Sequence, residues 1–176
     1  MALHYASLGL HVLPVHIVRD GDCTCDAKSR TRDSGGPCRS PGKHPVHEAW
    51  QKLATTEVER INKWFASGVA NLGISCGKSN LVALDIDPRN GGRETFAALA
   101  FELGVLPDTV MADTGGGGEH LLFRRPVGEL VGKLGDGVDL LRDGRQFLAE
   151  PSVHPSGGRY LWRSGFAPGE IAIAHL

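Results

Sequence analysis

The sequence predicts a mixed α+β fold around a largely antiparallel sheet. Helical and strand patterns alternate in a βαβ-like first half, and short apolar runs separated by turn residues fill the second half. Glycine is frequent, 24 of 176 residues, and clusters between the runs, where turns and backbone-lined sites form. This length fits one domain, or two small lobes sharing a core.

Residues 2–8 read as a helix and Leu10 to Ile17 as a strand, which Pro14 confines to an edge or bulge. Residues 19–45 carry no hydrophobic periodicity, and so long a loop needs function or a metal to explain it. Thr56 with Glu59 three residues on predicts a capping box, opening a helix with Val58, Ile61, Trp64 and Phe65 on its apolar face. Asn71 to Ser75 predicts a strand. Leu81 to Ile86, nearly all apolar, predicts another that is buried on both faces. After a turn at Asn90 to Gly92, a helix bears Phe96, Leu99, Ala100 and Leu103 and stops at Gly104. Thr109 to Thr114 and His120 to Arg124 predict strands flanking a glycine run. Val138 to Leu141 and Gln146 to Ala149 predict a hairpin turned at Asp143-Gly144. Tyr160 to Arg163 predicts a last strand before a featureless tail.

A net charge of −1 excludes coating nucleic acid by bulk charge, though not a local basic groove. Lys28, Arg30, Arg32, Arg39 and Lys43 form one basic cluster, and Arg142, Arg145 and Arg159 a second. No apolar run is long enough to span a bilayer, and Met1 to Leu13 does not read as a signal peptide. A cytoplasmic setting is therefore expected. There the four cysteines are metal ligands or buried thiols rather than disulfides.

Asp85 and Asp87 close the apolar strand. Positions i and i+2 of a strand face one way, roughly 6.5–7 Å apart, and can share divalent ions. Burying two unpaired carboxylates there is costly, and a magnesium or manganese ion removes that cost. Taken alone, the pair is a weak motif and better suits one aspartate capping the next turn and one in solvent. Thr114 and Gly115 to Gly118, with Gly117 among them, then bring backbone N–H groups close to a ligand. With His120 they suit a triphosphate. Gly77-Lys78-Ser79 is no phosphate loop, because its upstream glycine, Gly73, is one residue too close. Asp139 puts a third acid in an apolar strand, and a donor-rich Glu150-Pro151-Ser152-Val153-His154 segment follows. These parts fit two-metal phosphoryl transfer.

Cys23, Cys25, Cys38 and His44 lie within 22 residues of a loop without a core of its own. Three thiolates and an imidazole suit a closed, structural zinc site. His16 and His47 are spare candidates for the fourth ligand. Cys76 reads as a small buried residue.

LVALDIDPRNGG, TGGGGEHLLF and GVDLL…EPSVHPSGGRY, in this order and spacing, resemble the bifunctional primase/polymerase domain of the archaeo-eukaryotic primase superfamily. Such domains occur in replication proteins of plasmids, phages and integrated elements. The resemblance extends over nearly the whole chain and includes the early GKHP. It implies a two-lobed α+β core with an RRM-like sheet, the zinc loop at about 19–45 being inserted into a single catalytic domain spanning 1–176. It implies that Asp85, Asp87 and Asp139 hold catalytic magnesium or manganese and that His120 contacts the incoming nucleotide. Lys43, Ser152 and His154 fall beside the nucleotide pocket. The implied activity is DNA-templated primer synthesis and extension, with single-stranded DNA template, primer, and NTP or dNTP as partners. Relatives commonly continue into a helicase, which this sequence does not encode, so an excised domain is expected. The competing readings are a non-catalytic nucleic-acid-binding module and a metal-dependent nuclease or phosphatase. A stacking module should display aromatic residues on its middle strands, and few stand there.

Overall fold

A computed structural model describes residues 1–25, 38–68 and 70–176. In chain order the elements begin with helix α1 (Ala2–Ser7) and strands β1 (Val12–Val15), β2 (Val18–Arg19) and β3 (Asp22–Cys23). Helices α2 (Trp50–Leu53) and α3 (Val58–Phe65) lead to β4 (Asn71–Ser75) and β5 (Leu81–Ile86). A 3-10 turn at Pro88–Asn90 opens into α4 (Gly92–Leu103). Seven strands complete the chain: β6 (Val110–Asp113), β7 (Glu119–Arg124), β8 (Lys133–Gly135), β9 (Val138–Leu141), β10 (Gln146–Ala149), β11 (Leu161–Trp162) and β12 (Ala174–His175). The mixed, mainly antiparallel class expected of the sequence is the one found.

The apolar run of β5 lies inside a seven-stranded sheet ordered β11-β6-β7-β5-β9-β8, with β12 beside β7. Its alternate residues enter two cores. Val82, Leu84 and Ile86 pack with Leu121, Phe123, Val138 and Leu140 beneath Phe96 and Leu99 of α4. Leu81 and Ala83 face the other way, toward Tyr5, Ile61, Leu72, Ile74 and Phe147. A second sheet, β1-β4-β10, supplies that opposite layer, with the Pro14 strand at its edge as expected.

Four sequence expectations change. The capping box at Thr56 is absent: α3 begins at Val58 with no side-chain cap. Thr55 exchanges both backbone hydrogen bonds with Val12, and its hydroxyl accepts the Glu57 N–H. The chain is thus held extended for the residues that would have formed the first turn. Leu103, one of the four apolar residues read on α4, does not pack with Phe96 and Leu99 but is 81% exposed. The strands at 138–141 and 146–149 do not form a hairpin. Gly144 does turn the chain, with φ +76°. Yet β9 pairs with β5 and β10 with β4, because Val138 and Leu140 bury under α4 whereas Phe147 and Ala149 bury against Leu72 and Ile74. The tail is not featureless: Ala174 and His175 pair in parallel with Phe123 and Arg124. Lys28, Arg30 and Arg32 of the first basic cluster lie outside the described residues. Among the described residues no helix is long and apolar enough to cross a membrane.

Candidate active site

Asp85 shares the face of Leu81 and Ala83, but stands at the open end of β5, beyond the apolar layer. In register it lies opposite His120 of β7 on one side and Asp139 of β9 on the other. Directly paired residues project to the same face. Pairing across three strands therefore sets two carboxylates and an imidazole in one row. His120 Nε2 stands 3.5 Å from Asp85 Oδ1, and its Nδ1 is buried with no partner among the described residues.

Asp87, one residue past β5, caps the 3-10 turn. Its Oδ1 accepts from the Arg89 backbone N–H and Nε, each at 3.0 Å. Its Oδ2 accepts from Arg89 Nη2 at 2.9 Å and Asn90 Nδ2 at 3.0 Å. The Arg89 side chain holds this carboxyl below the usual carboxylate range. The turn-capping role open to one acid of the pair therefore falls to Asp87. Asp139 is exposed and lacks a basic partner among the described residues.

Two cavities meet at this row. One, of about 230 Å³, has Lys43, Arg89, Thr114, Gly116, His154 and Tyr160 around Asp85, Asp87 and His120. The other, of about 470 Å³, is lined by Asp85, Asp87, Asn90, Asp136 and Asp139, with Lys133 at its side. Asp85 and Asp87 thus border both a basic pocket and an acidic one.

The glycine loop is closed by Thr114. Its backbone N–H donates to the Gly118 carbonyl (2.8 Å), and its hydroxyl accepts the Gly118 N–H (3.0 Å). Gly117 turns the loop at φ +86° and lies outside the pocket wall. A Cβ on Gly115 would penetrate His154 Cβ and the Gly158 carbonyl, so only glycine lets the loop lie against the Val153–Gly158 segment. From that segment Ser156 N–H donates to His154 Nδ1 (3.1 Å), which leaves the ring proton on Nε2. Nε2 is buried without a partner among the described residues. Burial, then the charges of Lys43 and Arg89, hold His154 below its ordinary pKa, so near neutrality it is an uncharged donor. Burial and Arg89 likewise lower Lys43.

Six sequence candidates thus gather at the basic pocket: Lys43, Asp85, Asp87, Thr114, His120 and His154. Asp139 joins them from the acidic side. Ser152 lies behind: its hydroxyl donates to the Leu72 carbonyl (3.2 Å) and accepts the Leu72 N–H (2.8 Å), tying its segment to β4. Arg89, Asp136 and Tyr160 were not singled out by sequence. Arg89 follows the Asp-Ile-Asp-Pro turn and Tyr160 closes the Gly-Gly-Arg-Tyr motif, so position relative to those motifs was the available signal.

An all-oxygen set of Asp85, Asp87 and Asp139 beside a basic cavity suits magnesium or manganese with phosphate. Separately, the ligand atoms of Cys23, Cys25, Cys38 and His44 all lie within 4.8 Å of one another. This set fits a tetrahedral Cys3His zinc site. Burial lowers the His44 pKa and favours the neutral, ligating imidazole. Of the spare candidates, His16 packs beside His44 and His47 against Trp64. Cys76 is buried as expected, and burial pushes its thiol up to about 12.

The family model described as bifunctional DNA primase/polymerase, N-terminal, matches residues 2–175. No curated protein matches the chain.

Proposed function

Because the chain belongs to the bifunctional DNA primase/polymerase N-terminal family, we propose that it synthesises and extends primers on a DNA template by two-metal phosphoryl transfer. The family implies a nucleotidyltransferase with DNA and nucleotide substrates. The observation that carries the finer reading is the register of Asp85 between His120 and Asp139, at the boundary of a basic and an acidic cavity.

The basic cavity receives the triphosphate of an NTP or dNTP. Lys43 and Arg89 offer charge, and His154 offers a neutral Nε2–H donor. Gly116 keeps the loop free of a side chain there. Asp85 orients His120 through Nε2. Magnesium or manganese held by Asp85, Asp87 and Asp139 would supply an acidified primer hydroxyl and neutralise triphosphate charge. Single-stranded DNA template and primer are the other substrates. Ser152 holds the His154 segment in place rather than touching nucleotide. Cys23, Cys25, Cys38 and His44 hold a structural zinc. We read the two sheets as the two parts of a primase-polymerase core, working in the cytoplasm beside a helicase module.

The test is extension of a primed DNA template by the purified protein with manganese or magnesium and labelled nucleotides. Wild type should extend and the Asp85→Ala/Asp87→Ala double variant should not. Equal incorporation by both would defeat the catalytic assignment.

A further inference from the structure

The Cys3His cluster and the basic pocket share one short stretch of backbone, Gly42–His44. Gly42 N–H points at Cys23 Sγ (3.5 Å), Lys43 enters the basic pocket, and His44 belongs to the cluster. No helix or strand includes these residues. Their position depends on a few tethers. Two belong to the cluster: the Gly42 bond to Cys23 and the His44 ring, whose Nε2 lies 3.4 Å from Cys23 Sγ. Backbone and side chains supply others: Gln146 Nε2 donates to the Lys43 carbonyl (3.0 Å), and His16 N–H to the His44 carbonyl (3.0 Å).

The most connected tether is Asn71, at the start of β4 and 3% exposed. Its Nδ2 donates to the Gly42 carbonyl (3.0 Å) and the Val153 carbonyl (2.9 Å), and its Oδ1 accepts the Val153 N–H (2.9 Å). Gly42 precedes Lys43, and Val153 precedes His154. One buried amide therefore fixes the backbone beside Lys43 and His154, two of the pocket's three donors, and joins them to the cluster.

We infer that the Cys3His centre, when it holds zinc, sets nucleotide affinity by positioning Lys43, and that Asn71 is the positioning residue linking Lys43 to His154. The inference rests on the nucleotide-binding reading of the basic pocket. Removal of zinc loosens the cluster that carries two of the tethers of a segment with no secondary structure, and Lys43 loses the fixed backbone from which it reaches the pocket. The metal thus acts on ligand binding as well as on folding. The coupling is also reciprocal: nucleotide held by Lys43 favours the ordered, zinc-retaining segment.

The experiment is a thermodynamic cycle. The dissociation constant of a non-hydrolysable deoxynucleoside triphosphate is measured calorimetrically in magnesium for wild type and Lys43→Ala, each zinc-loaded and zinc-stripped. Stripping should weaken wild-type binding about tenfold, the scale of one hydrogen bond to a charged group. It should leave Lys43→Ala unchanged. Equal loss in both proteins, or in neither, would overturn the inference. If stripping abolishes the native circular dichroism, Asn71→Ala with zinc retained replaces it. That variant should keep its zinc and native spectrum, lose about tenfold in nucleotide affinity, and lose less on the Lys43→Ala background, where only His154 remains to be displaced. Undiminished affinity in Asn71→Ala would defeat the claim, as would an equal loss with and without Lys43. If zinc-loaded wild type binds no nucleotide, the primase-polymerase reading fails and carries this inference with it. If it binds without coupling, only the inference fails.

Discussion

Arg89 saturates Asp87: four N–H donors, three of them from Arg89, meet the two oxygens of one carboxylate. A metal ion approaching Asp87 must displace at least one of them. The Arg89 side chain is more than half exposed, so water replaces the released contact at little cost. Once released, it stands in the pocket where phosphate charge would receive it. Arg89→Ala should therefore bind manganese up to about fivefold more tightly, the most such an exposed pair withholds. It should bind nucleoside triphosphate more weakly. Electron paramagnetic resonance of free manganese measures the first effect and nucleotide titration the second. Looser manganese binding in the variant would show that Arg89 organises the ion site rather than competing with it.

Asp139 borders the acidic cavity and not the basic one. Asp139→Asn is nearly isosteric and should leave the pocket around Lys43 and His154 intact. Primer extension should fall at least about 100-fold, as when one electrostatic contact to developing charge is lost. Metal-free nucleotide affinity should stay within about twofold, as for sites without shared partners. Single-turnover extension and direct nucleotide titration separate the two effects.

Local chemistry was legible in the sequence, whereas the choice of strand partner was not. The apolar run of β5 announced a doubly buried strand, and i, i+2 spacing announced the acids at its end. Asp143-Gly144 announced a turn, which exists, but turn chemistry cannot say that β9 and β10 join different sheets. That is decided by where Leu140 and Phe147 bury, far away in sequence. The parallel pairing of Ala174–His175 left no signal because two residues carry no period. Arg89 carried no signal of its own, since its link to Asp87 depends on the turn being folded. Ser152 was grouped with the nucleotide contacts by its motif. Its hydroxyl proved occupied by β4, a partner 80 residues away in sequence.

The glycine loop makes a graded prediction. A methyl on Gly115 would overlap the His154 Cβ and the Gly158 backbone, neither of which can retreat without moving the segment. Gly115→Ala should cost about 1–3 kcal/mol of stability in denaturant unfolding. A methyl on Gly116 would lie 3.3 Å from Arg89 Nη2 and from His154 Nε2; the arginine can swing away, and the histidine ring need only tilt slightly. Gly116→Ala should stay within about 0.5 kcal/mol of wild type. It should nonetheless weaken nucleotide binding, because the methyl stands between the two donors.

The histidines give stability a direction with pH. Burial, reinforced by nearby positive charge at His11 and His154, holds His11, His44 and His154 below their ordinary pKa. In the unfolded chain each titrates near 6.5. Below that pH the unfolded state therefore binds more protons than the folded one, and stability falls as pH falls. Their contribution is fully present above about pH 6.5 and is lost as pH drops through the lower folded values. Zinc held at His44 would extend the effect, because protons compete with a metal for its ring. Thermal unfolding from pH 7.5 to 5.5 should show a declining midpoint. His154→Gln retains a donor without a titrating ring and should decline less steeply. Parallel slopes for wild type and His154→Gln would remove His154 from the account and place the acid sensitivity on the other two rings.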